Sequence, residues 1–420
     1  MIDIKQLREN PKHFLESAKN KNVEINIDRI LELDQTVRAL KQSFEQIAAQ
    51  KNDASKKIPQ ASEDERKELI EDMRRIDRKA DDLKTELTPQ AEELDELLHK
   101  IPNPALEGVK ISPTEDDNEV IKTVGEKPEF DFQVKDHVEL GEALGIIDME
   151  RAAKASGARF AYLKGDAALL HFALIQYALQ TLSKHGFIPV VPPTLVGARA
   201  MRAMGYLEHG GHDEIYYLAK DNQYLTGTSE QSIGAMHMDE VLKNEELPLR
   251  YAGISTCYRR EAGSYGKDTK GLIRVHQFDK VEMFSFSTPE TSQAEHELIL
   301  TIEEELMQGL GLHYQVIQMV TGDLGLPAAK KYDIETWIPS QDTFRETHST
   351  STCTDFQARR LNTRFKDGEG SMQFVHTVNG TAFAIGRTMV AIIENYQQED
   401  GSVAVPEVLR PWVGKDVITA

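Results

Sequence analysis

Ile30, Leu33, Val37, Leu40, Phe44 and Ile47 follow one another at alternating spacings of three and four residues, which puts them on one narrow seam of a helix. Leu69, Met73, Ile76, Ala80, Leu83 and Leu87 repeat the device, and after one polar turn it continues as Leu94, Leu97 and Ile101. Between the two runs, the polar stretch from Asn52 to Pro59 is the expected tip where the chain reverses. The pattern predicts an antiparallel helical hairpin over residues 28–100, each helix about 30 to 35 residues and so roughly 50 Å long. Pro89 falls inside the second helix, removes a backbone donor there and is expected to kink it. On this pattern alone the hairpin reads equally well as a dimerisation coiled coil, with its interleaved Lys and Arg a solvated face.

At Pro102-Asn103-Pro104 the heptads stop, which marks a first domain over residues 1–103 and a second over 104–420. Residues 105–165 read as a connector of short strands and helices. A longer apolar-periodic helix is expected from about Ala167 to Lys184. Beyond it, strand-like runs at Leu249–Tyr258, Arg274–Phe286, His313–Thr321 and Gln373–Thr381 are separated by helical patterns at Pro289–Leu310 and Ala384–Gln397. Strands that follow one another without a helix between each imply an α+β body, an antiparallel sheet with helices packed on it.

Composition narrows the class. The chain has 420 residues, 40% hydrophobic and 28% charged, which suits a soluble globular protein with at least one sizeable core. Lys plus Arg total 49 against 69 Asp plus Glu, a formal charge of −20 that argues against an indiscriminate polyanion binder. The two cysteines, Cys257 and Cys353, have no metal-ligand spacing and exclude a disulfide scaffold. The acidic start Met1-Ile2-Asp3 is unlike a signal peptide, and the stretch Phe187–Ala198, cut by Pro189, Pro192 and Pro193, falls short of the roughly 20 apolar residues a membrane helix needs. A cytoplasmic protein without a membrane partner is expected.

The chemistry concentrates between Cys257 and Glu282. Arg259-Arg260-Glu261 ends one strand-like run, a loop with Gly263, Gly266 and Gly271 follows, and Arg274-Val275-His276-Gln277-Phe278 opens the next. Cations fixed at both strand ends can clamp a phosphate ester while the loop opens and closes over it. In this order the residues resemble motif 2 of the class II aminoacyl-tRNA synthetases (residues 251–286), specifically the seryl-tRNA synthetase family. The segment around Gly186-Phe187-Ile188-Pro189-Val190-Val191-Pro192-Pro193-Thr194-Leu195 is similar to motif 1 (184–196), and Asn379-Gly380-Thr381-Ala382-Phe383-Ala384-Ile385-Gly386-Arg387 with the helix after it is similar to motif 3 (377–397). Thr228-Ser229-Glu230, and Glu346-Thr347-His348-Ser349 leading into Asp355-Phe356-Gln357-Ala358-Arg359-Arg360, resemble seryl-enzyme signatures. With the hairpin included, the resemblance spans nearly the whole chain.

The resemblance implies a six- or seven-stranded antiparallel sheet flanked by helices, a homodimer built on motif 1, and serine activation by ATP followed by transfer to serine tRNA. Attack of a carboxylate on the α-phosphate needs orientation and charge neutralisation rather than a general base, so the lack of a Ser/His/Asp triad is no objection. By resemblance, Arg259 bridges the serine carboxylate and the α-phosphate, Arg387 holds the γ-phosphate, and Glu346 and Ser349 face the nucleotide and its Mg2+. Phe278 stacks adenine, with Glu261 and Val275 at the base's edge; Arg260, Arg274, Thr347 and His348 complete the implied ATP-binding set. Thr228, Ser229, Glu230, Arg259, Glu282, Asn379 and Thr381 form the implied serine set, and Arg259, Arg387 and Glu282 the catalytic one. With no cysteine expected in this region, a zinc-reading pocket is not expected.

The chain departs from the family's frequent Ser-Cys-Ser-Asn at Ser349-Thr350-Ser351-Thr352, and has His348 where a serine is common; the histidine is expected to pack rather than to act as a base. The resemblance implies that the hairpin is an arm for the long variable region of serine tRNA, recognised by backbone shape, with selenocysteine tRNA a further candidate substrate. Two other readings stay open at this point. One is a paralogue charging a carrier protein, against which the intact hairpin argues. The other is a non-catalytic RNA-binding regulator, against which Arg259, Glu282 and Arg387 argue.

Overall fold

A computed structural model describes residues 1–209, 211–262 and 270–420 of the protein. The chain divides into two compact units: one holds Ile2–Lys19 and Val23–Pro102, the other Met1, Asn20–Asn22 and Asn103–Ala420.

In the smaller unit, α1 (Ile27–Lys57) and α2 (Glu63–His99) form the hairpin. The Asn26 side chain caps α1 by accepting from Arg29 N at 3.0 Å. The reversal lies later than the polar stretch suggested: Asn52 to Lys57 stay helical, and the chain turns over Ile58–Gln60 and the two residues after it. Pro59 suits the first positions of that short turn, and Ser62 with Glu65 forms a capping box that starts α2, the Glu65 carboxylate accepting from Ser62 N at 3.0 Å. α2 runs through Pro89 as one helix. The seam is fully buried near its base, at Ile30, Leu33, Val37, Leu94 and Ile101, joined there by Leu98, while Leu40, Phe44, Ile47, Leu69 and Met73 are half-buried. A two-helix ribbon packs each seam residue against one facing helix only, which leaves its outer side to solvent. Arg29–Glu93 (2.8 Å) and Lys51–Asp77 (2.6 Å) pair across it.

The larger unit is built on an eight-stranded sheet whose strands are β1 (Glu119–Val124), β2 (Ile188–Val190), β3 (Leu249–Tyr258), β4 (Gln277–Ser287), β5 (Tyr314–Gln318), β6 (Lys330–Ile338), β7 (Thr343–Thr354) and β8 (His376–Ala384). They lie in the order β1-β5-β6-β7-β8-β4-β3-β2, antiparallel except where β2 runs parallel to β3. The α+β class stands, with eight strands in place of six or seven, because the connector supplies β1 to one edge and the proline-rich run supplies β2 to the other. Helices α3 (Asp166–Lys184), α4 (Ser292–Gly309) and α5 (Ile385–Asn395) join strand residues such as Val281, Met283, Ile334, Val378 and Ala382 in one apolar core. Phe278, Lys280 and Glu282 alternate with these on β4 and face the other way. One face of the sheet is thus spent on the helices, while the opposite face is polar around Lys280 and Glu282 and gives way to a second apolar cluster at Tyr251, Phe284 and Phe286.

Candidate active site

A cavity of about 360 Å3 lies over the polar face. β4 brings Phe278, Lys280 and Glu282 to it, β7 brings Glu346, Ser349, Ser351 and Cys353, and β8 brings Asn379 and Thr381. Arg259 enters one residue beyond the end of β3, where its N–H donates to His276 O at 3.1 Å and closes the β3–β4 hairpin. Arg387 enters from the first turn of α5.

At one end the cavity is lined by carboxylates. Glu230 accepts from the Tyr206 hydroxyl at 2.6 Å and from Gln357 Nε2 at 2.9 Å, so both of its oxygens are oriented. Glu282 is buried beside the Lys280 ammonium and accepts from Thr381 Oγ1 at 3.4 Å. Burial pushes its carboxyl above the usual range, the Lys280 charge opposes that, and the nearby Glu230 charge adds to it. Lys280 also donates to Thr228 Oγ1 at 3.3 Å. The result is a compact, oriented set of oxygens around a space for a small cation bearing a hydroxyl.

At the other end the groups are cationic and aromatic. The Arg259 guanidinium stands 5.3 Å over the Phe278 ring, its Nε donating to Gly227 O at 3.2 Å. Arg387 Nη1 donates to Glu346 at both its carbonyl oxygen (2.9 Å) and Oε2 (3.1 Å), and Arg387 Nε donates to Ile273 O at 3.3 Å. Burial alone would raise the Glu346 carboxyl, but the Arg387, Lys331 and Arg259 charges outweigh it and keep Glu346 ionised. Asp333, paired across the β6–β7 ladder with Ser349, goes the other way: burial pushes it up to about 7, restrained by Lys331 at 3.3 Å. Arg274 Nη1 donates to Glu261 Oε2 at 3.0 Å, and Arg274 itself lines an adjoining cavity of about 730 Å3 that shares Lys331, Glu346 and Arg387.

Thr228, Glu230, Arg259, Glu261, Val275, Phe278, Glu282, Glu346, Thr347, Ser349, Asn379, Thr381 and Arg387 therefore meet around one space. Four residues of the implied set do not line it. Ser229 lies beneath, its hydroxyl donating to Gly253 O at 3.4 Å; Arg260 is exposed; Arg274 is in the adjoining cavity. His348 lies on the opposite face of β7, 5.7 Å from the Phe383 ring, with Nδ1 2.9 Å from Thr347 Oγ1. Burial lowers its pKa to about 4, so it is a neutral packing residue. Thr347 reaches the cavity, but its hydroxyl is engaged with Thr336 Oγ1 at 2.7 Å. The glycine-rich loop over residues 263–269 lies outside the described residues.

Sequence reasoning passed over Tyr206, Lys280, Lys331 and Cys353. Lys280 was within reach, since it stands two positions before Glu282 on the same strand and must share its face. The expectation that no cysteine stands in this region is corrected: Cys353 lines the cavity, 3.9 Å from Asn379 Nδ2, as a thiol that burial pushes well above its usual pKa.

An antiparallel sheet with one arginine ending a hairpin strand and another opening the helix after the neighbouring strand defines a class II aminoacyl-tRNA synthetase core, and the profile of the tRNA synthetase class II core domain (G, H, P, S and T) matches residues 216–396. The seryl-tRNA synthetase N-terminal domain profile matches residues 1–105, and the serine–tRNA ligase of Rhodococcus jostii (strain RHA1) is 47% identical over the full length of both chains. The chain belongs to the seryl-tRNA synthetase family, the class II serine–tRNA ligases. Among solved structures, the seryl-tRNA synthetase of Pyrococcus horikoshii complexed with ATP superposes with a TM-score of 0.89 at 38% identity, covering 100% of this chain and 99% of that one. The cytoplasmic serine–tRNA ligase of Naegleria fowleri in complex with AMP gives 0.86 at 33%, with the same coverage. Among the described residues no helix is long and apolar enough to cross a membrane.

Proposed function

We propose that this chain activates serine with ATP and then transfers the seryl group to the 3′ end of serine tRNA. The observation that carries the reading is the single cavity in which the carboxylates Glu230 and Glu282 face the cations Arg259 and Arg387. The serine ammonium lies between Glu230 and Glu282, its hydroxyl near Thr381 and Asn379, and its carboxylate against Arg259. Hydrogen bonding the hydroxyl leaves polar groups unpaired against alanine, which is how such a site discriminates. Adenine stacks on Phe278, and Arg259 neutralises charge that develops as carboxylate oxygen attacks the α-phosphate. Arg387 draws the departing pyrophosphate toward the mouth of α5.

Among the described residues no cluster of three or more His, Cys, Asp or Glu could by itself hold a metal. The donors nonetheless fit Mg2+ arriving with ATP, which takes one or two carboxylates and completes its shell with phosphates and water. Glu346, kept ionised, and the Ser349 hydroxyl are those donors. Bound there, the cation would neutralise phosphate charge. Residues 1–103 serve as the tRNA-binding domain, with the arm on the long variable region of serine tRNA and of selenocysteine tRNA where the host makes one, and residues 104–420 as the catalytic domain. The exposed apolar side chains Leu169, Phe172, Ile188, Val191 and Leu195 supply a homodimer interface, and the protein works in the cytoplasm.

Pyrophosphate exchange into ATP with each amino acid, followed by charging of serine tRNA, tests the reading. Serine-dependent exchange and charging are expected. Absence of serine-dependent exchange refutes it.

A further inference from the structure

One wall of the cavity is irregular backbone: Leu324, Gly325, Pro327 and Ala328, between the Thr321–Asp323 turn and the start of β6, line it directly. Such a segment cannot satisfy its own carbonyls and needs donors from elsewhere. Here five successive carbonyls are served by three residues. Lys21 Nζ donates to Gly325 O at 2.9 Å and to Ala328 O at 2.5 Å. Asn103 donates from its backbone to Leu326 O at 3.0 Å and from Nδ2 to Pro327 O at 2.9 Å, and Leu106 N donates to Ala329 O at 2.9 Å. Asn103 Nδ2 also reaches Cys353 O at 2.8 Å and Thr354 Oγ1 at 3.1 Å, which ties the wall to the β7 segment beside Asn379.

Lys21 and Asn103 belong to the larger unit, yet in the chain they stand where it passes to and from the smaller one. Lys21 is buried, and among the described residues no carboxylate pairs with it; burial lowers its pKa to about 7. Keeping an ammonium in such a place is costly unless its donors are needed there. An aliphatic residue of the same length would fill the space and leave two buried carbonyls unpaired.

We infer that Lys21 and Asn103 are positioning residues for serine binding: by gripping the carbonyls of residues 325–328 from behind, they set the wall of the serine end of the cavity. Neither touches the reacting atoms. This role presupposes the serine-activation reading, and it predicts a graded loss of serine affinity rather than a loss of chemistry.

The test uses the full-length Lys21→Met and Asn103→Asp variants, each close in volume to the native residue and lacking its side-chain donor. Serine-titrated pyrophosphate exchange is expected to show a serine KM raised about tenfold, with kcat within about threefold and the ATP KM within about twofold, the size of a wall displaced by a fraction of an ångström. Hydrogen–deuterium exchange of the peptide over residues 320–331 is expected to quicken while the β4 and β8 peptides hold. Faster exchange at 320–331 with an unchanged serine KM overturns the role, as does a parallel fall of kcat, both KM values and the thermal midpoint in whichever variant is recovered folded. Failure of the wild type to exchange would instead refute the activation reading and leave the exchange data to decide whether the grip exists.

Discussion

Replacing Arg387 with alanine separates catalysis from folding more cleanly than any other single change in the cavity. The side chain is 26% exposed and makes three hydrogen bonds, two to Glu346 and one to Ile273 O. A partly exposed ion pair of this kind contributes at most about 1 kcal/mol to folding, which at about 2.1 cal/mol/K of unfolding entropy per residue moves the midpoint of a chain of this size by only about 1 to 2 °C. The functional loss is on another scale. A guanidinium that holds a transferring phosphate through charge-assisted bonds is worth about 3 to 4 kcal/mol in the transition state, or roughly 100- to 1000-fold in rate.

Arg387→Ala should therefore lower serine-dependent pyrophosphate exchange by about 100- to 1000-fold while the midpoint barely moves. Arg387→Lys keeps the charge but not the fork, so it cannot serve the Glu346 carbonyl, the Glu346 carboxylate and a phosphate together; recovery of only a small part of the loss is expected. Because Arg387 and Glu346 contact each other at 3.1 Å, the Arg387→Ala/Glu346→Gln double variant should lose less than the product of the single losses. Exchange within about fivefold of wild type for Arg387→Ala, at ATP concentrations spanning KM, would refute the assignment of Arg387 to the phosphates.

Three further outcomes follow from other parts of the molecule. Tyr206→Phe removes the 2.6 Å bond that orients Glu230 and should raise the serine KM about five- to tenfold with little change in kcat; an unchanged KM would place Glu230 outside serine recognition. His296 and His348 are each held near pKa 4 by burial, against about 6.5 unfolded, so only the unfolded chain takes up their protons between those values and stability falls as the pH falls through that window. Each contributes roughly 3 kcal/mol to this loss, and His348→Leu should make the calorimetric midpoint less sensitive to acid between about pH 6.5 and 4.5, whereas an unchanged slope would contradict the neutral, buried histidine. Replacing residues 42–82 with a short turn keeps the buried base of the hairpin at Ile30, Leu33, Val37, Leu94 and Leu98, and should spare pyrophosphate exchange while abolishing tRNA charging; equal loss of both would count against a tRNA-gripping arm.

The hairpin was legible because its two seams obey a single period, and β3 was legible to the residue because the run Leu249–Tyr258 is bounded by Pro248 at one end and by the charged Arg259-Arg260-Glu261 at the other. β7 was not, although it is the longest strand of the sheet. Its sequence, Thr-Phe-Arg-Glu-Thr-His-Ser-Thr-Ser-Thr-Cys-Thr, sets hydroxyls on both faces and so shows no hydrophobic alternation. β6 was missed as well, opening with two charged residues, of which Lys331 lines the site and Lys330 pairs with Glu297 of α4 on the other face. The same physics governs the functional residues. Arg259, Glu282 and Arg387 sit in recognisable local runs, but Tyr206 and Lys331 join the site only through the folding of neighbouring elements, and the Lys21–Asn103 grip only through packing across more than two hundred residues of chain. His348 illustrates the converse: a one-residue step along a strand exchanges a cavity-facing position for a core-facing one, and only the register of β7 against β6 and β8 decides which.

The net charge of −20 and a polyanionic partner are compatible because the charge is unevenly distributed. The first 100 residues carry 19 basic and 23 acidic side chains, the remainder 30 against 46, and the stretch Arg38–Lys84 of the arm 12 against 11. Several of the arm's cations already face carboxylates, Lys51 with Asp77 at 2.6 Å, Arg75 with Asp72 at 2.9 Å and Lys67 with Asp64 at 3.4 Å. All three pairs are exposed, and exposed pairs are worth about 0.2 to 1 kcal/mol, so a phosphate can replace the carboxylate at small cost. Each such exchange releases counterions from the RNA, which makes affinity fall steeply with added salt. The acidic body meanwhile repels RNA that arrives anywhere else, so the balance of charge favours one docking place over many. Charge-reversing one of these arm cations should therefore weaken tRNA binding and flatten its salt dependence together, whereas neutralising surface carboxylates on the larger unit should raise non-specific RNA binding without improving the charging rate.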